Sequence, residues 1–244
     1  MLRDLLASLR MIFLCAFIAF YLVVVGTPVL SYCRIRRNPK AALFVAKFLA
    51  RMGLFIAGIR LQVTGLEKLD PQRGCVYVGN HRSHVDAVAV FRLIPADVRF
   101  LIKKEAYRIP MFSFAFRTMG MIEVDRTDPD DAAASIDRAV HEIQKGRSVI
   151  LFPEGTRSRT GEILPFKKGA FVLAIKSQAP VVPFTLIGAD LALKPDTILL
   201  YGGNVRLIFH DPVETTGMKL ENRQELLERV RAKVESAYRS STIR

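Results

Sequence analysis

The sequence predicts an α/β fold: a mixed, mostly parallel sheet flanked by helices, preceded by an N-terminal two-helix membrane-binding motif. Three observations predict it. Short β-favouring runs alternate with helical patterns from residue 59 onward, which is the signature of strands joined by helical crossovers. Two apolar runs flank Gly202-Gly203-Asn204, a hairpin signal that adds an antiparallel edge. The first 57 residues hold two long apolar stretches joined by a basic turn, a pattern suited to a membrane surface. With 244 residues, half of them hydrophobic, the chain is long enough for one sizeable core.

The N-terminal elements come first. Residues 11–33 contain no charge, and ~20 helical residues reach across a ~30 Å hydrocarbon layer. Gly26 and Pro28 interrupt the second half of this stretch and permit a bend. Arg3 and Arg10 resemble the basic start of a signal peptide. However, Gly26-Thr27-Pro28 is a poor cleavage site, and residues 34–57 beyond it are basic and apolar. After the basic turn 34–40, residues 41–57 form a helical pattern. Leu43, Phe44, Phe48, Leu49, Met52 and Phe55 are apolar, while Lys40, Lys47 and Arg51 fall near one face. Such a helix suits a membrane interface, and equally a core-packing helix whose cations face water.

Strands are expected at 59–65, 75–79, 98–102, 121–124, 148–152 and 181–187, and the hairpin at 198–201 and 205–209. Helices are expected at 83–94, 105–118 with a break near Pro110, 128–145, 170–176 and 220–238. Asp128-Pro129 is an N-cap followed by proline in the first turn, and Gly146 stops that helix.

Composition narrows the classes. The net charge is +13. The first 60 residues hold nine Lys or Arg against Asp4 alone. Because these cations interleave with apolar runs, they fit an anionic membrane better than nucleic acid, and none of the nucleic-acid motifs is present. Cys15, Cys33 and Cys75 are odd in number and scattered. They make neither a disulfide framework nor a zinc spacing, which points to a reducing, cytoplasm-facing location.

The candidate site centres on the turn after the strand 75–79. Ser83 with Asp86 three residues later, ahead of Val88, Val90, Phe91 and Ile94, reads as a capping box. Residues five apart on one helix point about 140° away from each other. His81 and Asp86 therefore meet only if His81 precedes the helix and folds back over its start. Asp86 then accepts the proton on one ring nitrogen and leaves the other as a general base. A helix-capping Asp86 beside an ordinary loop histidine fits the same residues.

Three further strand ends carry cations: Lys103, Arg126, and Arg157 within Phe152-Pro153-Glu154-Gly155-Thr156-Arg157-Ser158. Gly155 admits backbone conformations closed to other residues, and Arg157 offers a planar fork for a phosphate. In an open α/β sheet ligands gather at strand ends, so these cations can converge on one anion. Each read singly is a solvated surface charge.

Together these stretches resemble the glycerolipid acyltransferase family, and within it the bacterial 1-acylglycerol-3-phosphate acyltransferases. The family's first motif, His-x4-Asp, matches His81 and Asp86. The second resembles Gly120-Met121-Ile122-Glu123-Val124-Asp125-Arg126, the third Phe152 to Ser158, and the fourth Val182-Pro183-Phe184. All four occur in family order within residues 58–212. The resemblance implies transfer of a fatty acyl group from acyl carrier protein or coenzyme A to the sn-2 hydroxyl of lysophosphatidic acid, giving phosphatidic acid. It implies His81 as base and Asp86 as its orienting partner. Lys103, Arg126, Glu154, Gly155, Thr156 and Arg157 would form the acceptor-phosphate pocket. No metal or redox cofactor is implied. Residues 1–57 would be the membrane-associated helices and 58–244 the catalytic domain, on the cytoplasmic side of the inner membrane. Glycerol 3-phosphate or another lysophospholipid as acceptor, a hydrolase using the same pair on water, and a non-catalytic lipid-binding protein, for which the His–Asp pair would have no use, are the alternatives.

Overall fold

The computed structural model describes residues 1–125 and 127–242, without the side chains of 241 and 242. Seven strands form one sheet in the order β1-β7-β6-β2-β5-β3-β4. They are β1 (Ile59–Thr64), β2 (Val76–Gly79), β3 (Val98–Lys103), β4 (Ile122–Val124), β5 (Ser148–Leu151), β6 (Val181–Ile187) and β7 (Gly203–Phe209). Every neighbouring pair is parallel except β6 and β7. The expected mixed, mostly parallel sheet is therefore present.

The hairpin is not. β7 runs parallel to β1 and antiparallel to β6, and before it Leu200 makes only an isolated bridge to Leu193. The glycines serve a close approach instead. Gly202 sits at φ +70°, and a Cβ there would lie 2.6 Å from the Ala57 carbonyl oxygen. The chain passes too near β1 for any side chain, and it enters β7 beside β1 rather than folding back on itself.

Helices cover both faces. On one lie α1 (Leu2–Tyr21), α2 (Thr27–Arg36), α3 (Lys40–Ile56), α4 (His84–Leu93) and α5 (Pro110–Met119), which contribute to a core containing Leu30, Leu43, Leu54, Val90 and Met119. On the other lie α6 (Pro129–Gln144), α7 (Gly169–Ser177) and α9 (Arg223–Thr242), packed around Val76, Phe171, Leu173, Leu226 and Val230. The short α8 (Ala189–Ala192) follows β6. The break expected near Pro110 separates a 3₁₀ turn, Lys104–Arg108, from α5.

Gly26 and Pro28 do not break the first segment. A π-turn, Leu22–Gly26, links α1 to α2, and a wider turn of this kind accommodates the carbonyl that a proline ring would otherwise strike. The chain reverses later, at Arg37, which adopts the left-handed conformation, and α3 returns beside α1 and α2. Both ends of this helical pair are bolted to the sheet domain. Arg10 Nη1 donates to the Tyr201 carbonyl at 2.6 Å, and Tyr201 Oη donates to Asp4 at 3.0 Å. Lys47 Nζ donates to the carbonyls of Ile94 and Ala96, at the end of α4. The outward face keeps Ile12, Phe13, Phe20, Phe44 and Phe55 exposed.

His210, just after β7, gives the fold a pH dependence. Thr185 Oγ1 donates its proton to the Val234 carbonyl, so it accepts from His210 Nε2 at 2.9 Å. Burial, with Lys233 and Lys68 adding repulsion, pulls this imidazole down from 6.5 to about 4, against the opposing pull of Asp211. A depressed histidine pKa means the unfolded chain takes up the proton first. The stabilisation is complete above pH 6.5 and is lost as pH falls toward about 4. Denaturant midpoints measured in detergent should fall between about pH 7.5 and about pH 5 in the wild type, and should differ less in His210→Gln.

Candidate active site

The site stands at the carboxyl ends of β2, β5 and β3, three adjacent parallel strands. β2 ends at Gly79, where a Cβ would lie 2.2 Å from the Phe184 ring; only glycine lets the strand lie over Phe184. Asn80 then continues the sheet with its side chain, donating to the Leu186 carbonyl and accepting from the Leu186 amide, each at 2.8 Å. The fourth motif, Val182-Pro183-Phe184, thus forms the floor under the turn.

Ser83 is the N-cap of α4 and Asp86 completes the capping box. Asp86 Oδ2 accepts from His81 Nδ1 at 3.0 Å, from the Arg82 amide at 2.5 Å and from the Ser83 amide at 2.7 Å. The two sequence readings of Asp86, as helix cap and as histidine partner, hold at once through one oxygen. An ionised carboxylate only accepts, so the proton in the His81 contact sits on Nδ1, and Nε2 carries the free lone pair. The imidazole stacks on Phe152, with centroids 4.1 Å apart. Asp86 is buried while His81 keeps 18% of its side chain exposed, so the imidazole can be reached from the cavity in front of it.

Glu154 lies behind this pair. Its Oε1 accepts from the His81 amide at 2.6 Å and its Oε2 from the Leu164 amide at 2.9 Å. Burial raises its pKa and the two amide hydrogen bonds act against that rise. Both oxygens are occupied by backbone, so in this structure Glu154 ties the histidine turn to the loop after β5. Ser158 adds a second tie by donating its amide to the His81 carbonyl. Arg82 also faces away from the reacting groups, paired with Asp190 at 2.8 Å.

In front of His81 is a cavity of about 540 Å³. It brings together His81, His84, Lys103, Gly155, Thr156 and Arg157, with Lys167 and the start of α7. Among the described residues no Asp or Glu lines it. Lys103, Arg157 and Lys167 have no ion pair among the described residues, so the cavity presents uncompensated positive charge. The amino end of α7 adds its dipole to the same field. Gly155 sits at φ +75°, and a Cβ there would reach the Lys167 ammonium at 2.9 Å, so the glycine makes room for that lysine. Arg126 lies outside the described residues. Lys167 was not foreseen; its sequence signal is Lys167-Lys168-Gly169 at the head of an apolar helix. A second cavity, of about 510 Å³, opens on the other side of His84 and Phe100. Apart from His84 its lining is apolar, drawn from α1, α3, α4 and α5.

A buried carboxylate holding a histidine on the wall of a cationic cavity, with an apolar cavity adjoining it across His84 and Phe100, could abstract a proton from a hydroxyl on an amphiphile bearing an anionic group. The chain is 36% identical over 201 residues to a chloroplastic 1-acyl-sn-glycerol-3-phosphate acyltransferase of Brassica napus, covering 81% of this chain and 57% of that protein. It is 29% identical to 1-acyl-sn-glycerol-3-phosphate acyltransferase alpha of Ovis aries over 90% of this chain and 76% of that one. The chain thus spans less than two thirds of the length of the plant relatives, such as those of Brassica napus and Arabidopsis thaliana. The crystal structure of the 1-acyl-sn-glycerophosphate (LPA) acyltransferase PlsC from Thermotoga maritima superposes with a TM-score of 0.83 at 27% identity, covering 100% of this chain and 98% of that one. The family model described as Acyltransferase matches residues 60–187, a stretch that includes His81, Asp86 and Arg157, and the chain belongs to the acyltransferase family.

Proposed function

We propose that this chain transfers a fatty acyl group from acyl carrier protein or acyl-coenzyme A to the sn-2 hydroxyl of lysophosphatidic acid, giving phosphatidic acid. The observation that carries the reading is the position of His81, held by Asp86 on the wall of a cavity lined by cations, with an apolar cavity adjoining it across His84 and Phe100. The relatives' names support the acceptor, and the cationic cavity supports a phosphate on it.

The chemistry rests on the geometry. An alcohol attacking a thioester must lose its proton as the new bond forms. His81 Nε2 takes that proton, and Asp86 steadies the imidazolium. The substrate hydroxyl is itself the nucleophile. Ser83 is committed elsewhere: its Oγ donates to the Leu193 carbonyl and accepts from the Val85 amide. Lys103, Arg157 and Lys167 hold the phosphate, with Gly155 and Thr156 shaping the pocket and Arg126 assigned to the same role from sequence. Glu154 contributes by fixing the turn that carries His81.

Residues 1–57 form the membrane-associated part and 58–244 the catalytic part, with the site facing the cytoplasmic leaflet. The helical pair enters one leaflet rather than crossing. The segment Leu2–Arg36 is long and apolar enough to span by length and composition. But Arg3 lies over the Tyr201 ring, and Asp4 and Arg10 bond the same residue. This holds the start of α1 on the sheet domain, and a spanning helix would carry it to the far side.

Three measurements test this. His81→Ala should lower turnover with acyl thioester and lysophosphatidate by at least about 10²–10⁴-fold in a folded sample, and Asp86→Asn should also be severe because it favours the wrong tautomer. Near-normal turnover in His81→Ala would sink the catalytic assignment. Arg157→Ala should raise the Michaelis constant for lysophosphatidate by roughly 10- to 100-fold, since a charge-assisted bond contributes about 1.5–3 kcal/mol. The thioester constant should hold, and an equal loss against monoacylglycerol would refute phosphate binding. Finally, a single cysteine near residue 3, in a variant lacking Cys15, Cys33 and Cys75, should resist an impermeant reagent in intact cells and react after permeabilisation. Labelling from outside would show that the segment spans.

A further inference from the structure

We propose that His84 donates a hydrogen bond to the acyl carbonyl oxygen and stabilises the negative charge that forms there during transfer. The inference rests on the acyl-transfer reading and concerns a side chain that the motif pattern treats as a filler position. His84 is the first residue of α4. Among the described residues, it and Phe100 are the two that line both cavities. Within the apolar cavity it is, among the described residues, the one lining side chain that bears an N–H or O–H group. A fatty chain seated in that cavity, with its reacting carbon presented toward His81, passes His84 where hydrocarbon gives way to the polar carbonyl.

The imidazole is free for this task. It makes no hydrogen bond or ion pair with any described residue. Burial pulls its pKa below the usual value, with Arg157, His81 and Lys103 acting in the same direction and Asp86 against it. The ring is therefore held neutral, with one N–H to donate. A neutral donor is suited to an oxyanion in a site that His81 must also enter as a base, because it adds no second proton to the exchange.

The step balances. The acceptor hydroxyl oxygen bonds to the thioester carbonyl carbon as its proton passes to His81 Nε2, and the carbonyl π pair moves onto oxygen. The oxyanion re-forms the double bond, the carbon–sulfur bond breaks, and the departing thiolate takes the proton from His81, leaving ester and free thiol. His84 holds the oxygen throughout and transfers no proton.

The test compares wild type, His84→Phe and His84→Gln with one acyl thioester and lysophosphatidate, after thermal melts confirm folding. His84→Phe keeps a flat apolar surface and loses the donor, so kcat should fall roughly 10²-fold, as when one oxyanion donor is removed, while the thioester KM stays within a few-fold. His84→Gln keeps an N–H and should recover at least tenfold of that loss. Wild-type kcat in His84→Phe, a loss confined to KM, or a His84→Gln as slow as His84→Phe would each overturn the inference while leaving the transfer reading intact. A folded wild type that transfers no acyl group to lysophosphatidate would bring down both.

Discussion

One carboxylate oxygen organises the site. Asp86 Oδ2 accepts the His81 ring proton and the amides of Arg82 and Ser83, so the contact that starts α4 also sets the histidine tautomer. Coupling the two has a physical benefit. A carboxylate placed only to orient a histidine would be a buried charge with a single partner, which is costly. Two backbone amides at a helix start lower that cost, because those donors lack partners in the helix itself.

Glu154 extends the same economy. A second buried carboxylate, fully engaged by the His81 and Leu164 amides, joins a loop from β5 to a turn from β2. Those strands are adjacent in the sheet although their residues are far apart in the chain. The His81 turn is thereby held from its helix by Asp86, from β5 by Glu154, and from β6 by the Asn80–Leu186 bonds. Phe152 fixes the remaining freedom, the rotation of the imidazole ring. In front of this frame Lys103, Arg157 and Lys167 make no ion pair among the described residues, and an anion there can supply what the protein withholds.

The helical pair at the amino end obeys a different logic. Its outward face is apolar and exposed, while Asp4, Arg10 and Lys47 bond to the sheet domain. Lys47 is the clearest case: it closes the carbonyls at the end of α4, a use suited to the negative end of a helix. Part of the pair's inner surface lines the apolar cavity beside His84, so the element with the exposed apolar face also builds a wall of that cavity.

Much of this was legible in the sequence, because it depends on short-range rules. Capping chemistry placed Ser83 and Asp86, the five-residue spacing required His81 to lie before the helix, and alternating periodicities set the order of strands and helices. Lys103 and Arg157 could be found because strand ends gather ligands. What the sequence could not supply was anything that depends on which strands are neighbours. The pairing of β7 with β1 replaced a hairpin that local signals favoured, since burial of Val205, Leu207 and Phe209 in the sheet outweighs a turn preference. The partners of Glu154, the approach of Lys167 over Gly155 and the double lining by His84 all join segments distant in the chain. The continuity of the first helix through Pro28 rests on one added residue in a turn, a backbone adjustment that composition does not reveal. Sequence by itself determined which residues can do the chemistry, because each residue's chemistry is intrinsic to it. Only the tertiary structure decided which of them face the substrate and which hold the others in place, because that depends on strand adjacency and on what burial leaves unpaired.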